Sequence, residues 1–459
     1  MNKSEFSQAL QRGLGSAIIE LKEHPDSTIH REVLLSCCLR DLTFDWQSES
    51  SKGYYLYDAI VATGEPDFFL QPIIDRFLSR CPDGLFRQLA ALLYCCAEDK
   101  NQDAIAALHS KYDCFAAKQG RLTKNKTVDE GMQWDEVAFH LLYIDGFTAF
   151  KKYAVDAGTA RLKYPDKRDS YDDWYRRRAE KKFGEKRIDE YYAKEYRKST
   201  AIQALVETML SDEVLYEQKR TLEKQTPLTI DALRQAATTA AADKNPRLKM
   251  FELLGRRHFS FGASEQDLIE LAQAALNEEN KTAKALLLSQ FFLVPFPLDI
   301  TPLIEYAQSD NTLLAEAAIE RLREFKDKRL HELAIQLLTD KGLSSFATTL
   351  LKENYQRSDD AIILAALKKS SCVPHRVQQD IANIYRHHRS ADAFPILFHS
   401  YQNGDCSFCR FGIVEAMRNC RVATDAILEE CLYDSNDDIR RYVKRILSRK
   451  PKPKPATTT

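Results

Sequence analysis

Three carboxylates recur at four-residue intervals near the start of the chain, at Asp41, Asp45 and Glu49. This spacing places side chains on one face of a helix, provided that the helix continues through Trp46. A row of carboxylates can bind a divalent cation or carry out acid and base catalysis. The same row can also be a solvated helix face, or it can anchor the cation of Lys52.

The residues around these carboxylates form a dense polar and aromatic cluster. Asp45, Trp46 and Glu49 are followed within a few positions by Tyr54 and Tyr57. Aromatic rings beside a few polar groups are typical of binding pockets. We therefore expect any pocket of this protein to lie around these five residues, and we assign no catalytic residue among them.

A second candidate lies between residues 161 and 200, where charged and aromatic residues replace aliphatic ones. The segment contains 14 Lys and Arg, nine Asp and Glu, and eight aromatic residues. Its run of Trp174, Arg176, Arg177 and Arg178 can stack on nucleic-acid bases while the cations neutralise phosphates. The acidic residues fit equally with a solvated helix or a helix that binds a protein partner. Because aliphatic residues are scarce, we expect a protruding helix, a helical pair or a partly disordered insertion.

The grouping that most resembles a metal site is Cys406 and Cys409, with Cys420 and Cys431 further along the chain. A structural zinc site needs four converging ligands, and the second close pair is missing here. Cysteines at the apolar positions of helices pack as small hydrophobic groups. The sequence also contains no phosphate-binding, zinc-protease or hydrolase motif. We therefore expect neither a metal nor a cofactor.

The overall charge does not point to an anionic partner. The 459 residues include 66 basic and 67 acidic side chains, for a formal net charge of −1. Such a balance creates no field that would draw the whole protein to nucleic acid or to an anionic membrane. The sequence shows no secretory signal and no run of about 20 apolar residues, as a membrane helix requires. We expect a cytoplasmic protein that does not bind membranes.

The elements that would position these residues are helices. Only 15 Gly and 15 Pro interrupt the chain, so long helices joined by short turns are expected. In the N-terminal block, apolar residues at helical spacing predict helices over 32–42, 54–63, 67–78 and 85–96. In the second half, apolar pairs recur at intervals of 31, 62, 33 and 29 residues, where the interval of 62 hides a weaker unit near Leu350. A period near 31 indicates stacked two-helix hairpins. The pairs are Leu288/Phe291, Ile319/Leu322, Ile381/Ile384, Val414/Met417 and Val443/Ile446.

The last of these units carries a family resemblance. After Asn436, the sequence DDIRRYV at 437–443 resembles the start of the first helix of a HEAT repeat, and the resemblance extends over roughly 246–448. It implies an all-α fold, a right-handed superhelix of HEAT-like repeats that carries the charged helical insertion at 161–200. The expected domains are an N-terminal helical block, a middle helical region, the C-terminal repeats and a disordered tail, at 1–115, 116–245, 246–448 and 449–459.

Three functions are compatible with this organisation. A solenoid presents a long surface, so the first hypothesis is a scaffold or adaptor for a protein partner. The second is a nucleic-acid-binding protein, since alkylpurine DNA glycosylases of HEAT-like fold use Trp, Tyr and Asp side chains. Those residue types occur here at Trp134, Asp135 and Trp174 without a matching motif. The third is an enzyme that uses the acidic row described above.

Overall fold

The fold is taken from a computed structural model of the chain. It describes all residues except 46–48, 50, 119–126, 165–170, 226–227, 255–258, 261–262, 292, 342–343, 371 and 450–459. Trp46 and most of the expected tail therefore lie outside the described residues.

The protein is all-α, as the sequence predicts. Within the described ranges no strand occurs, and an isolated β-bridge joins Val373 to Gly404. A short 3-10 helix covers Arg357–Asp359. The α-helices are α1 Lys3–Arg12, α2 Gly15–Glu23, α3 Thr28–Cys38, α4 Lys52–Ala62, α5 Asp67–Leu78, α6 Asp83–Glu98, α7 Gln102–Lys118, α8 Glu130–Ile144, α9 Phe147–Lys163, α10 Tyr171–Phe183, α11 Glu185–Tyr196, α12 Thr200–Gln225, α13 Ile230–Ala241, α14 Pro246–Leu254, α15 Glu265–Asn277, α16 Lys281–Leu288, α17 Thr301–Tyr306, α18 Thr312–Leu322, α19 Lys328–Lys341, α20 Ser345–Asn354, α21 Asp360–Lys368, α22 His375–His388, α23 Phe394–Asn403, α24 Ser407–Asn419, α25 Asp425–Cys431 and α26 Asp437–Leu447.

None of these helices, over the residues described, combines the length and the apolar character that crossing a lipid bilayer requires.

The helices form two compact units. Unit 1 contains residues 1–217, 406–408 and 424–459, and unit 2 contains residues 218–405 and 409–423.

Unit 1 is built from helices that contact their second neighbours in the chain. Helix α4 packs between α2 and α6, and α8 packs between α6 and α10. The odd-numbered helices α3, α5 and α7 pack against this row as hairpin partners. Contacts between successive hairpins are the defining feature of helical repeat packing, because a single hairpin leaves one apolar face uncovered.

The C-terminal helices α25 and α26 belong to the same unit as the N-terminal helices. The backbone N–H of Ser435 donates to the carbonyl oxygen of Gly13 at 2.9 Å. The guanidinium of Arg440 donates to the carboxylate of Asp58 at 2.8 Å. The Lys22 ammonium lies 3.8 Å from the ring centre of Tyr433. Both ends of the sequence thus contribute to the packing of unit 1.

Unit 2 repeats the same scheme. Helix α18 packs between α16 and α20, α20 also packs on α22, and α21 packs between α19 and α23. The apolar pairs that recur with a period near 31 are buried in both units, with the exception of Ile446. The weaker unit expected near Leu350 is α20, in which Leu350 is fully buried. The period read from the sequence therefore marks successive layers of helices.

The charged segment at 161–200 contains a helical pair, α10 and α11, which packs on α8 and α9. Aromatic rings replace the missing aliphatic side chains in its core. Tyr175 is 1 % exposed, and its ring centre lies 4.0 Å from that of Tyr153 and 6.3 Å from that of Phe150. Tyr192 and Ile188 are also buried. The pair is therefore held by its tyrosines, while most of the charged residues described between 174 and 196 are exposed.

The end of α3 is fixed by a side chain from another helix. The last carbonyl groups of a helix have no partner within it. The buried Gln88 on α6 supplies one, since its Nε2 donates to the carbonyl oxygens of Cys37 and Cys38 at 3.2 and 3.1 Å. It also donates to Arg40 at 2.8 Å, while its Oε1 accepts the Leu42 N–H at 3.2 Å. These bonds stabilise the turn that follows α3.

Replacing Gln88 by leucine is expected to lower the free energy of unfolding by about 2–3 kcal/mol, because it leaves buried backbone groups without partners. Hydrogen exchange, measured by mass spectrometry on peptides of α3, should become faster. Gln71 on α5 is the control, since its amide bonds only to Asp75 on the exposed surface. If Gln88→Leu and Gln71→Leu give equal exchange rates, Gln88 does not cap α3.

Candidate functional site

The three carboxylates of the acidic row do not share a helix face. Helix α3 ends at Cys38, so Asp41 and Asp45 lie in the non-helical segment that follows it. The Asp41 carboxylate accepts the N–H of Thr43 at 2.9 Å. A row of carboxylates on one helix face would need a continuous helix from Asp41 onward. Residues 39–45 are not helical, so this condition is not met.

Glu49 is buried and its carboxylate is used within the fold. Its Oε1 accepts the backbone N–H of Ser407 at 2.6 Å, and its Oε2 accepts the N–H groups of Phe44 and Asp45 at 3.0 and 3.4 Å. The Lys52 ammonium lies 4.0 Å away. Burial alone would raise the pKa of Glu49, but the charge of Lys52 and the hydrogen bonds from Ser407 and Phe44 lower it below its usual range.

Lys52 completes this buried pair. Its side chain is 1 % exposed, and its ammonium donates to the carbonyl oxygens of Gln11 and Arg12 at 3.2 and 3.3 Å. These carbonyls belong to the C-terminal end of α1, where a cation is favoured by the helix dipole. Among the interpretations of the acidic row, the geometry at Glu49 therefore favours the anchor for Lys52.

The two tyrosines of the predicted pocket point to different partners. The hydroxyl of Tyr57 donates to the carboxylate of Asp99. Burial and this acidic partner raise the pKa of Tyr57. Tyr54 instead contacts Tyr94 on α6, with ring centres 6.4 Å apart and the rings nearly perpendicular.

Tyr54 is the first member of a series of ring contacts that crosses four helices. Tyr94 on α6 stacks on His140 of α8 at 4.9 Å and meets Tyr143 edge-on at 6.4 Å. Phe139 contacts Tyr143 at 5.0 Å and reaches Trp174 on α10 at 5.5 Å. We call this set the aromatic face, and its members are Tyr54, Tyr94, Phe139, His140, Tyr143 and Trp174. All except the buried His140 are partly exposed.

Two cations extend the aromatic face. The guanidinium of Arg178 lies over Trp174 at 5.1 Å and over Phe139 at 5.5 Å. The ammonium of Lys182 lies 4.2 Å from the ring centre of Tyr143. Trp174, Arg178 and Lys182 follow one another at intervals of four residues and therefore share one side of α10.

The other two arginines of this run have different surroundings. Arg176 donates to Glu180 at 2.7 Å and to Asp189 at 3.0 Å, so it ties α10 to α11. Arg177 is exposed on the outer side of α10. Of the three predicted arginines, Arg178 is the one seen to lie over rings of the aromatic face among the described contacts.

The aromatic face also carries negative charge. Glu136 lies one helical turn before His140, with Oε1 3.3 Å from the imidazole Nε2. Burial would raise the pKa of Glu136, but the contact with His140 and the charges of Arg87 and Arg178 lower it. The hydroxyl of Tyr94 donates to Glu98 at 2.6 Å. The row therefore carries charges of both signs, with its anions on α6 and α8 and its cations on α10.

The structure thus joins two sequence candidates that are 120 positions apart. Tyr54 and Trp174 become parts of one surface through Tyr94, Phe139 and Tyr143, which sequence reasoning missed. The sequence does contain a signal for the missed rings. Phe139 and Tyr143 lie four positions apart, and so do Trp174 and Arg178. Aromatic pairs at that spacing line one side of a helix.

The remaining candidates lie in the interior. Trp134 and Asp135 are 6 % and 5 % exposed, and the Asp135 carboxylate accepts the hydroxyl of Tyr153 at 2.6 Å. The four predicted core cysteines are all buried, namely Cys406, Cys409, Cys420 and Cys431.

Comparisons of the chain with protein-family models, with curated proteins and with solved structures found no match.

Proposed function

We propose that this protein is a binding scaffold of HEAT-like repeats that holds a protein partner on its aromatic face. The observation that carries the proposal is the unbroken series of ring contacts from Tyr54 on α4 to Trp174 on α10. Tyrosine, tryptophan and arginine are the residues that most often dominate the energy of protein interfaces. Here they come from successive helices of one row, which is how repeat proteins build an extended binding surface.

The presence of both charge signs on the row supports a protein partner over a nucleic acid. Arg178 and Lys182 are matched on the same row by Glu98 and Glu136, so the face has no continuous positive stripe. Binding to a phosphate backbone depends on several uncompensated cations. A polypeptide with its own mixture of charged and apolar side chains is the better complement.

Nucleic-acid binding is the second candidate, and it rests on one contact. The Arg178 guanidinium stacks on Trp174 at 5.1 Å, and this combination can receive an unpaired base. A glycosylase-like site at Trp134 and Asp135 gains no support, because both side chains lie in the core and the carboxylate is engaged by Tyr153. An enzyme built on Glu49 gains none either, since both oxygens of that carboxylate accept hydrogen bonds.

The test compares two variants by affinity capture from the native cell, followed by quantitative mass spectrometry. The double variant Tyr143→Ala and Trp174→Ala is expected to reduce partner recovery at least about 30-fold, the loss expected for interface residues worth 2 kcal/mol. Phe251→Ala is the control, because Phe251 is 49 % exposed on α14 of unit 2. Circular dichroism checks that both variants retain their helices.

Each result leads to a different conclusion. Loss in the double variant alone, unaffected by nuclease, supports the proposal. Recovery that disappears on nuclease treatment supports the nucleic-acid alternative instead. Equal recovery by wild type and double variant would remove the aromatic face as the binding surface.

A further inference from the structure

Unit 2 contains a cavity of about 530 Å³, a size suited to a small organic ligand. Five helices contribute to its wall, namely α14, α16, α18, α20 and α22. On α18, Leu313, Ala317 and Arg321 recur every four residues and so face the cavity together. Nothing in this cavity belongs to the aromatic face, which lies in unit 1.

Arg321 is the unusual group in this wall. Its Nε is buried without a hydrogen-bond acceptor. Among the residues that the structure describes, no carboxylate lies within ion-pair distance of its guanidinium. Burial lowers the pKa of Arg321 to about 10, although the negative charge of Glu320 acts to raise it. A guanidinium nitrogen that is buried without an acceptor costs free energy, and an anion in the cavity would offset that cost.

The other charges of the wall are already paired. Arg247 contacts the carboxylate of Glu316, and Arg376 contacts that of Glu320. These pairs leave Arg321 as the group that lacks a counter-charge among the described lining residues. The lining arginines exceed the lining glutamates by one, so a ligand with one negative charge balances the wall.

The rest of the wall defines the body of the ligand. Leu286, Leu313 and Phe346 supply apolar surface, and Ser289 and Ser345 supply hydroxyl groups. A guanidinium binds a planar carboxylate through two parallel hydrogen bonds. We propose that this cavity binds a monocarboxylate with an apolar body, and that Arg321 holds the carboxylate.

The experiment uses the full chain and three probes of one shape, phenylacetate, phenylacetamide and phenyl phosphate, in isothermal titration calorimetry. Phenylacetate is expected to bind with a Kd of about 1 mM or tighter, a reasonable limit for a ligand of its size. Phenylacetamide, which lacks the charge, is expected to bind at least about 10-fold more weakly, since a hydrogen bond to a charged group is lost. The same loss is expected for phenylacetate with Arg321→Met.

Arg329→Met is the control, because Arg329 lies on α19 and pairs with Asp327 at 2.7 Å. It should leave phenylacetate binding unchanged. Arg321→Met removes a half-buried guanidinium whose Nε has no acceptor among the described residues, so the variant is expected to fold, which thermal melting checks. The comparison of phenylacetate with phenylacetamide on the wild type does not depend on that variant.

Three results overturn the proposal. One is the absence of phenylacetate binding to the wild type. Another is equal binding of phenylacetate and phenylacetamide, which shows that the charge is not recognised. The third is tighter binding of phenyl phosphate, which shows that the cavity prefers a dianion. None of these results bears on partner binding by the aromatic face, which is measured separately by the capture experiment.

Discussion

Replacing Lys52 by methionine is expected to lower the free energy of unfolding of unit 1 by about 3–5 kcal/mol, the usual cost of removing one member of a buried ion pair. The variant leaves the carboxylate of Glu49 buried and without its cation. It also removes the donor for the carbonyl oxygens of Gln11 and Arg12 at the end of α1. Hydrogen exchange on peptides of α1 and α4, read by mass spectrometry, measures the loss within unit 1.

The double variant Lys52→Met and Glu49→Gln separates the charge from the packing. It removes both charges, so it is expected to recover part of the loss seen with Lys52→Met. Lys22→Met is the matched control, because Lys22 is exposed and its described contact is with the ring of Tyr433. Equal exchange in wild type and Lys52→Met would show that the pair contributes nothing to stability.

The buried pair of Glu49 and Lys52 also predicts how the stability of unit 1 depends on pH. The pKa of Glu49 is lower in the folded protein than its ordinary value of 4.5. The ionised carboxylate therefore contributes stability above pH 4.5, and this contribution is lost as the pH falls through the lower folded pKa. Glu49→Gln is expected to remove this part of the acid sensitivity. A wild-type and a Glu49→Gln curve that fall in parallel below pH 4.5 would contradict the assignment.

Replacing Tyr175 by alanine is expected to cost about 3–5 kcal/mol, the range for removing a large aromatic side chain from a core. The ring is 1 % exposed and packs on Tyr153 and Phe150. Because the helical pair α10 and α11 has few aliphatic residues, loss of this ring removes a large part of its apolar core. Hydrogen exchange on peptides of α10 and α11 should approach the rate of an unfolded chain.

Tyr175→Phe is the control for this prediction. The Tyr175 hydroxyl is buried and has no hydrogen-bond partner among the described residues. Removing it keeps the ring contacts and eliminates an unsatisfied polar group, so stability should stay the same or increase by about 1–3 kcal/mol. A loss in Tyr175→Phe as large as that in Tyr175→Ala would show that the hydroxyl, not the ring, stabilises the pair.

The amino-acid sequence by itself determined which segments are helical. The helix expected at 67–78 occurs as Asp67–Leu78, and that expected at 54–63 as Lys52–Ala62. Apolar residues with helical spacing and few Gly or Pro are local signals, and a helix is held by local hydrogen bonds. The recurrence of apolar pairs every 31 or so residues also indicated stacked hairpins, because each hairpin needs a neighbour to cover its apolar side.

Tertiary structure alone decided where some helices end and which side chains meet. Helix α3 was expected to reach Leu42 but ends at Cys38, where an amide from position 88 takes over the last carbonyl groups. Glu49 is bonded to Ser407, 358 residues away, and Tyr54 belongs to the same surface as Trp174. Contacts at such separations depend on the register in which whole helices pack, and the spacing of residues within one helix does not specify that register.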